Sequence, residues 1–133
     1  AITAAMIYPD KKVISVCGDG GFMMNSQELE TAVRLGVNLT VIILNDKAYG
    51  MVKWKQENMK FSDFGLSFEN PDFVKYADAY GAKGYRIDDS KQLKNTLEKC
   101  LNTPGVHLVD CPIDYSENDK ILNKDLKRIS SKL

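Results

Sequence analysis

A chain of 133 residues is long enough for one domain with a substantial core, and 44% hydrophobic with 27% charged residues is the balance of a soluble globular domain. Its 18 Lys and Arg offset 18 Asp and Glu, so no net field recruits nucleic acid or an anionic membrane surface. No apolar run approaches the length of a membrane span, and no secretory signal is visible.

The first stretch, Ala1-Ile2-Thr3-Ala4-Ala5-Met6-Ile7, reads as the tail of an apolar helix ended by Tyr8-Pro9-Asp10. With no initiator methionine and no cap before it, this start reads as that of a fragment. Val13-Ile14-Ser15-Val16-Cys17 is short, apolar and rich in β-branched residues, the pattern of a buried parallel strand. It delivers Gly18-Asp19-Gly20-Gly21 at its carboxyl end, where the glycines permit a tight turn and a close backbone approach to a ligand. Asn25, with Glu28 three residues on, predicts the capped start of a helix through Leu29, Ala32 and Val33 that stops at Gly36. Thr40-Val41-Ile42-Ile43-Leu44 predicts a second strand, and a right-handed crossover would set it parallel to the first. That strand delivers Asn45-Asp46.

Asp19 and Asp46 therefore fall on one edge of the sheet, the edge at which open α/β sheets bind ligands. Two oxygen ligands beside a glycine turn suit a hard cation such as Mg²⁺, which keeps water and takes further oxygens from a phosphate ligand.

Beyond Asp46, the run Lys47-Ala48-Tyr49-Gly50-Met51-Val52-Lys53-Trp54 passes into a helix, and its plain reading makes Met51, Val52 and Trp54 a core-facing patch. Over residues 57–70 the periodicity fades and Phe61, Phe64, Leu66 and Phe68 are scattered among Gly, Ser and Asp, which reads as a long, disordered loop. Asn70 then predicts a helix cap with Pro71 at the first position, Phe73, Val74, Tyr76, Ala77 and Tyr80 on the apolar face, and Gly81 as terminator. A short strand over 84–87 follows. Ser90 predicts the cap of a helix carrying Leu93, Leu97, Cys100 and Leu101, and a last strand covers 106–111 before Pro112. His107, the one histidine, lies among apolar neighbours and reads as structural. Strands alternating with helices predict a doubly wound parallel α/β sheet. From Ser116 onward the chain is a charged tail, with Ile121, Leu122, Leu126 and Ile129 at roughly helical spacing. Cys17, Cys100 and Cys111 lack metal-ligand spacing and read as reduced core thiols of a cytoplasmic protein.

Gly18-Asp19-Gly20, the 24 residues from 21 to 44, and Asn45-Asp46 together resemble the cofactor motif of thiamine diphosphate enzymes, in which Gly-Asp-Gly is usually followed by Asn-Asn. Asp46 stands where Asn is commoner. The exchange keeps the oxygen and adds a charge that favours a cation, and in this it is similar to the catabolic acetolactate synthases. Asp72-Phe73-Val74-Lys75-Tyr76-Ala77, Gly81-Ala82-Lys83-Gly84 and Pro112-Ile113-Asp114-Tyr115-Ser116-Glu117-Asn118 extend the resemblance from about Ala1 to Asn118.

The resemblance implies that residues 1–133 are part of a carboxyl-terminal thiamine diphosphate-binding domain preceded by two others. It implies Mg²⁺ held by Asp19, Asp46 and the carbonyl of Ala48, with Gly18, Asp19, Gly20, Gly21, Asp46, Tyr49, Gly50, Met51 and Val52 at the cofactor. Trp54 comes two residues earlier than in the Met-Val-x-x-x-Trp pattern of biosynthetic relatives, which weakens a substrate role for it. The implied reaction is condensation of two pyruvates to 2-acetolactate with loss of carbon dioxide, in a homo-oligomer. The activating glutamate would come from the amino-terminal domain of a neighbouring subunit, so no catalytic residue is assigned in this chain, which alone would be inactive and self-associating. Two alternatives stand beside it: another enzyme of the class, such as a 2-keto acid decarboxylase or the biosynthetic acetohydroxyacid synthase, or a non-catalytic phosphate-ligand module in which Asp19 and Asp46 are only loop and cap residues.

Overall fold

The computed structural model describes residues 1–131. Among them four strands, β1 (Val13–Gly18), β2 (Leu39–Asn45), β3 (Lys83–Arg86) and β4 (Val106–Pro112), form one sheet in the order β1-β2-β4-β3. Every pairing is parallel, with Val13 opposite Leu39, Leu39 opposite Val106 and Lys83 opposite His107. The central strands β2 and β4 are nearly continuously buried, which is why their sequences are mostly apolar.

Helices cover both faces. On one, α1 (Ile2–Ile7), α3 (Glu28–Arg34) and α5 (Phe73–Ala79) bring Ala5, Leu29, Ala32, Phe73 and Ala77 onto Leu39, Val41, Ile43, Val106 and Leu108. On the other, α6 (Gln92–Asn102) sets Leu97 and Cys100 against Val109, Cys111, Ile42 and Leu44. Ile14 and Val16 of β1 lie beyond the cover of α6 and stay 44% and 60% exposed. The expected doubly wound parallel sheet is thus present. None of the described helices is long and apolar enough to cross a membrane.

Gly36 and Gly81 end α3 and α5 with φ of 63° and 79°, and the N–H of the next residue reaches back five positions, Val37 to Ala32 and Ala82 to Ala77. The helix starts differ from the sequence reading. No Asn25 cap forms: a short helix α2 (Asp19–Met23) begins directly after β1, and α3 starts at Glu28 without a side-chain cap. Asp72, not Asn70, caps α5 and accepts from the N–H groups of Val74 and Lys75 at 3.1 and 3.2 Å. Ser90 does not cap α6, whose start has no side-chain cap; just before it the Asp89 carboxylate takes the Lys91 N–H at 2.9 Å.

The largest departure is over 57–70. The helix α4 (Gly50–Asn58) runs into this segment, whose later part returns to the loop after β2 and forms an antiparallel bridge between Ala48 and Ser67. Tyr49 donates to the Leu66 carbonyl at 2.9 Å and Phe68 to that of Lys47 at 3.0 Å. Leu66 is buried by the return. Two backbone hydrogen bonds and a buried leucine replace the expected disorder. The tail is helical, a π-helical segment over Asp119–Asp125 followed by α7 (Leu126–Ser130), with Ile121, Leu126 and Ile129 about half exposed. The side chain of Leu122 lies outside the described residues.

Candidate functional site

The carboxyl ends of β1 and β2 are adjacent, with Gly18 opposite Leu44, so the segments after them meet. They enclose a cavity of about 300 Å³ lined by Gly18, Asp19, Gly20, Gly21, Asp46, Ala48, Tyr49, Gly50, Met51 and Val52, joined by Leu44 and Tyr115. The structure thus brings every residue expected at the cofactor or the metal to one cavity.

Asp19 is 1% exposed and both its oxygens are engaged. Oδ1 takes the N–H of Gly20 at 2.8 Å, while Oδ2 takes the N–H of Lys47 at 2.8 Å and the Asn70 side-chain amide at 2.6 Å. Lys47 can aim its N–H there because it adopts the left-handed conformation, with φ of 55°, which is uncommon for a residue with a side chain. The ammonium of Lys47 pairs outward with Glu69 at 2.8 Å.

Asp46 is half-buried beside it. Burial first, and then the negative charge of Asp19, push its carboxyl above the usual carboxylate range, partly offset by the N–H of Ala48. Ala48 and Ser67 are a bridge pair that exchanges no hydrogen bond, since the bonds run from the residues on either side. In extended backbone the N–H and C=O of one residue point the same way, so the Ala48 carbonyl shares the direction of the N–H that reaches Asp46.

The glycines divide by role. Around Gly18 and Gly21 no heavy atom of the described residues lies within 4 Å of where a Cβ would stand, so the backbone there faces open space. A Cβ on Gly20 would meet the Tyr49 ring at 2.8 Å, and one on Gly50 would collide with Asp46 Oδ2. Tyr49 is in turn held edge-on by Phe68, ring centroids 5.0 Å apart. Met51 and Val52 are 61% and 49% exposed and α4 has no buried residue, so the core-facing patch is overturned. Trp54 lines a second cavity of about 500 Å³ that shares Asp46, Ala48, Gly50, Met51 and Tyr115 with the first.

Sequence reasoning missed three participants. Asn70 reads as a cap because Asn before Pro-Asp is a helix-start signal, yet its amide serves Asp19. Tyr115 has its hydroxyl pushed up by burial and then by the charges of Asp46 and Asp19. Lys47 carried no signal. Elsewhere the reading holds: His107 is buried, stacked on Tyr85 and bonded to the Thr103 carbonyl at 2.8 Å. All three cysteines are free thiols, and burial raises the pKa of each above the ordinary thiol value. Among the described residues no three His, Cys, Asp or Glu side chains group as a metal site.

A parallel sheet with a glycine turn and paired carboxylates around a cavity at its carboxyl edge defines a nucleotide- or diphosphate-binding type of α/β domain. Within that class the chain belongs to the thiamine pyrophosphate enzymes: residues 1–111 match the family described as "Thiamine pyrophosphate enzyme, C-terminal TPP binding domain". It is 40% identical over 128 residues to "Acetolactate synthase" of Bacillus subtilis (strain 168), an alignment covering 96% of this chain and 22% of that protein. With "Acetolactate synthase, catabolic" of Raoultella terrigena it shares 39% identity over 124 residues, 93% of this chain and 22% of the relative. "Putative thiamine pyrophosphate-containing protein YdaP" of Bacillus subtilis is 34% identical over 113 residues, 85% of this chain and 20% of that protein. The chain spans about a fifth of the length of these relatives.

Proposed function

We propose that this chain is the diphosphate- and Mg²⁺-anchoring part of a catabolic-type acetolactate synthase, an enzyme that joins two pyruvates into 2-acetolactate and releases carbon dioxide. The observation that carries the reading is the meeting of Asp19 and Asp46 in one cavity floored by open glycine backbone. The donor set fits the group: burial first, and then the charge of Asp19, raise the pKa of Asp46, and a hard divalent cation held between the two carboxylates would favour their ionised forms. The relatives named acetolactate synthase support the choice of reaction.

In this reading Asp19, Asp46 and the Ala48 carbonyl hold Mg²⁺. Gly18 and Gly21 leave backbone open to the diphosphate, and Gly20 makes room for Tyr49. Tyr49, Met51, Val52 and Tyr115 line the cavity beside it. When bound, thiamine diphosphate supplies the carbon nucleophile and electron sink for decarboxylation and carbon–carbon bond formation. The chain's own task is anchoring and orientation, and the activating glutamate is placed in another domain of a neighbouring subunit, so the working unit is a homo-oligomer. A cytoplasmic location accords with three unpaired cysteines.

The test uses the full-length protein supplied with pyruvate, Mg²⁺ and thiamine diphosphate but no flavin, followed by identification of the product. Acetolactate is expected. Acetaldehyde would move the enzyme to the decarboxylases, and no turnover with no cofactor binding would refute the reading. Asp46→Ala is expected to abolish metal-dependent cofactor retention.

A further inference from the structure

Behind the two carboxylates, the face of the sheet under α5 carries a string of polar side chains that ends on Asp19 and otherwise lies outside the cation site. Each strand contributes one member at its carboxyl end, in spatial order: Arg86 from β3, Asp110 from β4, Asn45 from β2 and Asp19 directly after β1. Arg86 Nη1 donates to Asp110 Oδ2 at 2.9 Å, and Asn45 Nδ2 donates to Asp110 Oδ1 at 2.8 Å. Asn70 then donates its Nδ2 to Asn45 Oδ1 at 3.0 Å and to Asp19 Oδ2 at 2.6 Å. Asp110 and Asp19 are 1% exposed and Asn45 7%, so bulk water has little access to the middle of the string, while Arg86 at one end is half-exposed.

The string has a direction. Asp110, facing a guanidinium, accepts on both oxygens, which obliges Asn45 to turn its NH₂ toward Asp110 and its oxygen toward Asn70. A flipped Asn45 would set acceptor against acceptor. Asn70 must then present NH₂ to Asn45 and Asp19 together, and its own oxygen is left buried with no partner among the described residues. Nothing on the oxygen side of Asn70 fixes that orientation; its two acceptors do.

We propose that Asp110 and Arg86, on the strands farthest from the cavity, are positioning residues for Asp19: through Asn45 and Asn70 they fix the rotation of the carboxylate that meets the cation. Partners outside the ligand shell characteristically set metal affinity in this way. The inference rests on the cation-site reading above.

Binding of Mn²⁺, a spectroscopic substitute for Mg²⁺, is titrated by the paramagnetic resonance of the free ion, using full-length protein with thiamine diphosphate. Asp110→Asn, Asn70→Leu and the double variant are compared with the parent. Each single change is expected to weaken Mn²⁺ binding about 10-fold, and the double variant no more than the weaker single one, because both cut the same string. Unchanged affinity in Asp110→Asn with only a lowered melting temperature would make the string structural and overturn the proposal, as would single effects that multiply. Should Asp110→Asn fail to fold, Arg86→Gln at its half-exposed position takes its place in the same cycle, with a few-fold loss expected. A parent protein that binds no Mn²⁺ would sink the cation-site reading first, and the positioning role with it. Binding by the parent with no coupling in the cycle would sink the positioning role alone.

Discussion

Gly50→Ala adds one methyl group at the point where the carboxylate pair is most crowded. The new Cβ would collide with Asp46 Oδ2 while lying 3.3 Å from Asp46 Cγ and 3.2 Å from Tyr115 Cε2. Gly50 keeps an ordinary backbone angle, unlike the four glycines with positive φ, so alanine meets no backbone strain there. It opens α4, where alanine is the better helix former by up to about 1 kcal/mol. Folding stability should therefore hold or rise slightly. The carboxylate, in contrast, must yield. Ordinary contact begins near 3.4 Å, so the oxygen has to retreat on the order of 1 Å, since repulsion rises steeply at shorter range. A Mg²⁺ ligand sits at about 2.0–2.1 Å with little tolerance, and such a retreat takes Asp46 out of the coordination sphere. Disturbing even an outer-shell partner costs about 10–100-fold in metal affinity, and this change should cost at least as much. Calorimetric titration of the full-length protein with Mg²⁺ at saturating thiamine diphosphate, run beside thermal unfolding, measures both quantities. Loss of Mg²⁺ binding at unchanged melting temperature is expected. An unchanged dissociation constant would refute the claim that Asp46 ligates the cation.

Three further outcomes follow from packing and charge. Gly84→Ala would place a Cβ 2.6 Å from Val74 Cα and 2.7 Å from its carbonyl oxygen, helix backbone that cannot rotate aside; a loss of about 2–3 kcal/mol in denaturant unfolding is expected, and parental stability would show that α5 sits farther from β3. Phe73→Ala empties the largest fully buried side chain, 1% exposed, and should cost about 3–5 kcal/mol by the same measurement. Asp72 has its carboxyl held below the model-compound value of 3.8, chiefly by the N–H of Lys75. A depressed acid stabilises the fold above its unfolded pKa and loses that contribution as pH falls through the folded one. The melting-temperature gap between the parent and Asp72→Asn should therefore be constant near neutrality and close as pH falls below about 3.8; a gap that persists in acid would show that the cap does not act through its charge.

What could be read in the chain was what repeats or sits at fixed distance. β2 and β4 are mostly apolar because helices bury both their faces, and the interval between Asp19 and Asp46 survives as spacing whatever the helix between them does. Helix starts were less legible. Asn25, Asn70 and Ser90 are all chemically able to cap, and which candidate is used depends on where the preceding chain is already tied. Asp19 draws Gly20 back with its own carboxylate, so α2 starts at once. Residues 66–68 gave no signal because a single bridge to residues 47–49 leaves no periodicity. Asp110 was hidden in a largely apolar strand, where one carboxylate looks like an interruption until Arg86 and Asn45 appear across two strand boundaries.

The strand order also dictates how the molecule must be assembled in time. β4 is the last strand in the sequence, yet it lies between β2 and β3. Until residues 106–112 arrive, β2 and β3 have no common neighbour, and the strand edges that β4 will pair with stand open together with the apolar side chains of the core. The bond from Asn45 to Asp110 closes a span of 65 residues, a long loop whose entropy is spent before any pairing rewards it. Among the described residues β4 therefore enters between strands that precede it in the chain, and the edges it will cover are the ones most exposed to aggregation until it pairs.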